Sequence, residues 1–146
     1  MMEQKYLTYM IIQEPNKMHN KDSISKYLNE QSSCLKELSN DVSLFLQVVE
    51  KLLNARSSES LVITMGNGGS SSTASHFAAD LLKTTILENE KRFRALCLTD
   101  NIPVMTAWSN DTSYDEIFKE QKKNFIKKDD IVIGFSGSGT SENVVK

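Results

Sequence analysis

Residues Leu61–Lys83 read LVITM-GNGGSSS-TASHFAADLLK, and residues Asp130–Lys146 read DIVIGF-SGSGTS-ENVVK. Each stretch is an apolar run, a loop of glycine and serine, and then a helix-like pattern. The loops are Gly66–Ser72 and Ser136–Ser141. A strand–loop–helix junction aims backbone N–H groups and the positive end of a helix dipole at one spot, where anions bind. Glycine lets the backbone come close to a ligand, and serine hydroxyls add donors without bulk. Two such junctions in one short chain predict a phosphorylated ligand held from two sides.

Working outward, Leu61–Met65 reads as a buried strand and Thr73–Thr84 as a helix. Phe93–Leu98 (FRALCL) reads as a second strand, and Ile102–Trp108 as a short helix or turn after Asp100, with Trp108 in the core. Tyr114–Ile126 is an amphipathic helix pattern and Ile131–Phe135 a third strand. Strands that are apolar throughout and alternate with helices predict an α/β fold, a doubly wound parallel sheet covered on both faces. Such open sheets usually have about five or six strands. Only three are visible here and the last helix has barely begun at Lys146, so the sheet is expected to be incomplete and the chain reads as cut short.

Upstream, apolar residues at 24, 27, 28, 35, 38, 42, 45, 46, 49, 52 and 53 fall at helical spacing. Asn40 and Asp41 are positioned to cap a second helix, which divides the segment in two. A helical prelude of this length exceeds what a small sheet needs for cover. It serves either as core packing within the chain or as an oligomer interface. The resulting division is an N-terminal tail over 1–20, helices over 21–57 and an α/β domain over 58–146.

The 146 residues, net charge of −2, 39% hydrophobic and 25% charged content describe an ordinary globular protein. Such a balance predicts neither nucleic acid nor a membrane as partner. The locally basic stretch Lys119–Lys128 is diluted by Glu120, Asp129 and Asp130 and reads as a solvated helix face. The N-terminal YLTYMII is too short to span a bilayer and lacks the flanks of a signal peptide. Cys34 and Cys97 match no metal or redox spacing, so both are expected to be reduced, packed thiols of a cytoplasmic protein.

A dinucleotide site is disfavoured because Ser71 stands where the third fingerprint glycine belongs. No Walker lysine follows either loop. His76 and Asp80 stand four apart on one helix face, a spacing that suits either two ligands of a divalent metal or an acid–base pair, or an ordinary structural helix pair. Asn110 and Asp111 are expected in a loop after the second strand, near the ligand-binding edge of the sheet. The same pair is also an ordinary turn or cap.

GNGGS, SHFAADL, WSNDTSYDEIF and SGSGTSENVVK, in this order and spacing, resemble the sugar isomerase (SIS) domain, most closely in its phosphoheptose isomerase branch. The resemblance runs from about Ile24 to Lys146 and implies a flavodoxin-like SIS fold. It implies activity on a phosphorylated sugar, sedoheptulose 7-phosphate going to a heptose 7-phosphate. Ser136, Gly137, Ser138 and Ser141 would grip the phosphate, while Asn67, Gly68, Gly69 and Ser70 would contact the sugar, with Asn110 and Asp111 as a further contacting pair. His76 would ligate zinc. Asp80 falls where the family carries a glutamate that binds metal and acts as the base, one methylene shorter here. The family also places a glutamine and a histidine on a C-terminal helix, and this sequence ends before it. A homotetramer joined through the N-terminal helices, with shared active sites, is likewise implied. The alternative is a non-catalytic SIS module that binds a phosphosugar or a protein partner, or a fragment with no function of its own.

Overall fold

The computed structural model describes residues 21–146, and the N-terminal tail with its YLTYMII stretch lies outside them. Contacts divide the chain into two compact units, one ending at Glu50 and one covering Lys51–Lys146.

The first unit holds helix α1 (Lys21–Asn40) and the start of helix α2 (Ser43–Ser58). The break falls where the sequence placed it. The Asp41 carboxylate accepts the Ser43 N–H at 2.9 Å, and the α2 backbone ladder opens with Leu46 N–H to the Val42 carbonyl at 3.0 Å. Hydrogen bonds from Ser43, first from its side chain and then from its backbone, hold the Asp41 carboxyl below its ordinary range. No residue of α1 is buried. Leu28, Leu35, Leu44, Phe45 and Leu46 are all more than half exposed among the described residues. Cys34 is exposed too, against the expectation of a packed thiol, whereas Cys97 is buried.

The second unit is a three-stranded parallel sheet in the order β2-β1-β3. The strands are β1 (Leu61–Gly66), β2 (Arg94–Cys97) and β3 (Ile131–Phe135). The register pairs Leu61 with Arg94 and Thr64 with Cys97 on one side, and Val62 with Ile131 and Gly66 with Phe135 on the other. Between β1 and β2 runs helix α3 (Gly69–Lys83). From β2 to β3 the chain passes through helix α4 (Ile102–Asp111), a 3-10 turn (Tyr114–Glu116) and helix α5 (Ile117–Phe125). A short helix α6 (Glu142–Val145) follows β3. The chain therefore moves from β1 outward to β2, then back across β1 to β3. Right-handed crossovers in opposite directions put their helices on opposite faces of the sheet.

The alternation of side chains along β1 shows both layers. Ile63 and Met65 pack with Leu98, Ile117, Phe118 and Val144, with Met105 and Trp108 at the margin. Val62 points the other way, into a cluster with Ala55, Leu81 and Phe93, and Ala74, Ala78 and Cys97 extend that layer under α3. Each fully buried side chain such as Ile63 or Phe118 contributes about 1.5–3 kcal/mol of transfer free energy. Buried polar groups are satisfied: Thr64 donates to the Ala74 carbonyl at 2.9 Å, and the Gln121 amide donates to the carbonyls of Ile117 and Leu98. The Asp130 carboxylate accepts the Leu61 N–H at 2.7 Å and the Lys127 N–H at 2.8 Å, which ties the entry of β3 to that of β1.

Three local expectations change. Helix α3 begins at Gly69 rather than Thr73, because Gly68 at φ 54° turns the chain and the serines form the first helical turn. The Asn101 side chain accepts the Val104 N–H and Pro103 occupies the first turn, which starts α4 at Ile102. The helix runs to Asp111, where the Thr112 N–H and hydroxyl donate back to the Trp108 carbonyl. The amphipathic pattern of Tyr114–Ile126 starts as a 3-10 turn before the α-helix proper.

Candidate functional site

The strand order β2-β1-β3 places a crevice between the carboxyl ends of β1 and β3, whose following helices α3 and α6 pack on opposite faces of the sheet. Ligands of open α/β sheets bind at such a crevice. Both glycine–serine loops emerge there, from the paired residues Gly66 and Phe135.

The first loop turns tightly. A Cβ at Gly66 would lie 2.5 Å from the Ser70 carbonyl oxygen, so only glycine fits beneath the start of α3. Gly68 faces open space and serves the turn through its positive φ. The Ser70 and Ser71 N–H groups bond back to the carbonyls of Asn67 and Gly68, and the Ser71 hydroxyl also donates to Gly68. Ser70 is buried and Gly69 exposed.

The second loop gathers three hydroxyls. Ser136 Oγ lies 3.4 Å from Ser138 Oγ and 3.3 Å from Ser141 Oγ, and the last two are 3.5 Å apart. Gly139 N–H donates to Ser136 Oγ at 3.1 Å and Thr140 N–H to Ser138 Oγ at 3.2 Å, which orients the hydroxyls. Gly137 is an exposed link between them, and Gly139 takes a positive φ of 69°. Three convergent hydroxyls with nearby backbone N–H groups form a cradle for the oxygens of a phosphate.

One direct bond set joins the loops. Asn67 on the first exchanges amide hydrogen bonds at 2.8 Å in both directions with Asn143, just past the second. Tyr114 Oη donates to Asn67 Oδ1 at 2.9 Å. Lys146 braces α6 against the 3-10 turn through Glu116 and Asp115. Lys119, hydrogen-bonded to Glu116, holds that carboxyl below its ordinary range, and Lys146 adds to the effect.

The remaining candidates lie elsewhere. Asn110 and Asp111 are not in a loop: they form the exposed last turn of α4, where Asn110 Nδ2 donates to Asp111 Oδ1 at 2.9 Å. Their corner sends only Tyr114 into the hydrogen-bonded set. His76 Nε2 and Asp80 Oδ2 stand 3.6 Å apart on α3, with side chains 81% and 50% exposed, and Asp80 also accepts the Thr84 hydroxyl. His76 lines a groove of about 430 Å³ with Ser71, Ser72, Ser75, Thr99 and Asp100, on the β2 side of the sheet. The second loop, following β3, takes no part in that groove. No cluster of three or more metal-ligating side chains occurs among the described residues.

Tyr114, Asn143, Thr99 and Asp100 were not singled out as site residues from sequence. Asn143 carries a signal in hindsight, since the GSGTSEN run extends to it, but its partner stands 76 residues away.

Comparison with known proteins agrees with this geometry. A sequence profile of the SIS domain matches residues 26–146. A probable phosphoheptose isomerase of Thermoplasma acidophilum is 36% identical over 121 residues, covering 83% of this chain and 65% of the relative. A lincomycin biosynthesis protein of Streptomyces lincolnensis is 44% identical over 79 residues, covering 54% of this chain and 29% of the relative. The structure of phosphoheptose isomerase from Neisseria gonorrhoeae superposes with a TM-score of 0.76 at 26% identity, covering 86% of this chain and 65% of the other. The chain thus spans under two thirds of the length of these relatives. No helix among the described residues is long and apolar enough to cross a membrane. The profile match across nearly the whole chain, together with the shared three-strand α/β core, shows that this protein belongs to the SIS domain family.

Proposed function

We propose that the chain is, or forms part of, a phosphosugar aldose–ketose isomerase of the phosphoheptose type, acting on sedoheptulose 7-phosphate in the cytoplasm. The observation that carries this reading is the cluster of Ser136, Ser138 and Ser141 hydroxyls beside Asn67 at the β1/β3 crevice. The names of the relatives support the sugar.

In this reading the serine loop holds the phosphate, and Asn67, with the backbone of Gly68, Gly69 and Ser70, meets the sugar. Asp80 is the base. Its carboxylate takes the proton from the hydroxyl-bearing carbon beside the carbonyl while the carbonyl oxygen gains a proton, giving an enediol. The carboxyl then returns its proton to the former carbonyl carbon as the other enediol hydroxyl loses its own to form the new carbonyl, so that no net proton is gained. His76 and Asp80 present a nitrogen and an oxygen on one helix face, a donor pair that suits zinc as part of a four-ligand set. A zinc ion there would polarise the sugar oxygens.

Asp80 lies 11 residues beyond Gly69, about 16 Å along α3, and its partner His76 lines the β2-side groove in which the serine loop takes no part. This separation favours a site shared between copies. The exposed apolar side chains of α1 and α2 supply a surface for such assembly, as a homotetramer. Asn110 and Asp111, exposed on α4, are available to a sugar from that direction.

The test is a zinc-supplemented assay that follows formation of the heptose 7-phosphate from sedoheptulose 7-phosphate. Turnover that is lost in Asp80→Asn supports the isomerase. Tight binding of the sugar phosphate without turnover replaces it with the non-catalytic SIS module.

A further inference from the structure

The Asn67–Asn143 pair is the place where two loops distant in sequence become one object. Each amide Nδ2 donates to the other's Oδ1 at 2.8 Å, and Tyr114 Oη adds a second donor to Asn67 Oδ1 at 2.9 Å. An amide oxygen has two lone pairs, so that of Asn67 is fully engaged, and Asn67 can meet a ligand only as an N–H donor. Asn143 is 2% exposed, so its half of the pair is shielded from competing water. A buried polar network whose members are satisfied is rigid. On the far side, Asn143 follows Ser141 by two residues, and Ser141 belongs to the hydroxyl cluster.

We propose that Asn143 and Tyr114 are positioning residues that set the span between the phosphate cradle and the sugar-side donor. They aim Asn67 and fix its distance from Ser136, Ser138 and Ser141. The site then selects sugars whose hydroxyl stands at that span from the phosphate. This rests on the reading of the two loops as a phosphosugar site. Neither residue transfers a proton.

The test compares inorganic phosphate with sedoheptulose 7-phosphate by calorimetry on the full chain, in the unmodified protein and in Tyr114→Phe. That variant removes one hydroxyl from a half-exposed ring. Affinity for the sugar phosphate should fall about tenfold, the loss of one aligned hydrogen bond, while that for inorganic phosphate stays within about twofold. Equal loss of both, or no loss of either, overturns the inference. If the unmodified chain binds neither ligand, or binds both equally, the phosphosugar reading fails by itself. The inference is then decided by the Asn67 side-chain amide resonances, which should exchange at least tenfold faster with solvent in Asn143→Ala. Unchanged exchange overturns it.

Discussion

Substituting Gly66 by alanine tests the loop geometry at its tightest point. The added Cβ would stand 2.5 Å from the Ser70 carbonyl oxygen and 2.7 Å from its carbon, where ordinary contact begins at 3.4 Å. Relief requires the start of α3 to move by about 0.9 Å, and the obstacle is backbone that has no rotamer to yield. Overpacking of this kind costs about 1–3 kcal/mol. For a unit the size of Lys51–Lys146, roughly 4–8 °C of melting temperature is lost per kcal/mol, so thermal unfolding followed by circular dichroism should show a drop of about 10 °C. Gly139→Ala provides the contrast: nothing lies within 4 Å of its Cβ, but its φ is 69°, so it carries only the left-handed backbone cost of about 1–2 kcal/mol, whereas Gly66 carries only the steric one. The two variants separate further in binding, because only Gly66→Ala displaces Asn67. A Gly66→Ala protein that melts within about 2 °C of the unmodified chain would refute the steric argument.

Ser138→Ala removes one of the three clustered hydroxyls from an exposed position, so inorganic phosphate should bind about fivefold more weakly with little change in melting temperature; undiminished affinity would show that the loop is not the grip. The Asp41 carboxyl titrates below its unfolded value because Ser43 hydrogen-bonds its charged form. Its contribution to α2 is therefore present above the unfolded-state pKa near 3.9 and lost as pH falls through the lowered native value. Helicity should decline across that window in the native chain more than in Asp41→Asn. Phe45→Glu charges the exposed face of α2 and should lower the mass seen by light scattering if that face joins copies; an unchanged mass would exclude it.

Much of the architecture was readable from local pattern. The strands announce themselves because Leu61–Met65 and Ile131–Phe135 are apolar at every position except Thr64 and Gly134. β1 is buried on both faces as that pattern predicts, whereas β3 alternates half-buried and exposed positions, Val132 among the exposed. The break at Asn40–Asp41 was visible as a capping signal, and the structure places a carboxylate cap there. The start of α3 was hidden, since Ser70–Ser72 are weak helix formers and only the turn at Gly68 commits them to the helix. Asn110 and Asp111 read as a turn because both residue types favour turns and caps, whereas the helix end is set one residue later by Thr112 bonding back to the Trp108 carbonyl. At the site, the serine loop was readable because its donors are contiguous. Asn143 and Tyr114 were not, because a polar residue in a helix or turn looks solvent-exposed until the partner that buries it is known. His76 and Asp80 were paired correctly by spacing, yet spacing along one helix carries no information about which groove they face.

The proposed phosphosugar site needs both loops at the β1/β3 edge to bind as one. Backbone and side-chain amide resonances, followed during titration with sedoheptulose 7-phosphate, address it most directly. Gly66–Ser70 and Ser136–Ser141 should shift together along one saturation curve. Shifts confined to Ser75, His76, Thr99 and Asp100, with both loops silent, would contradict it.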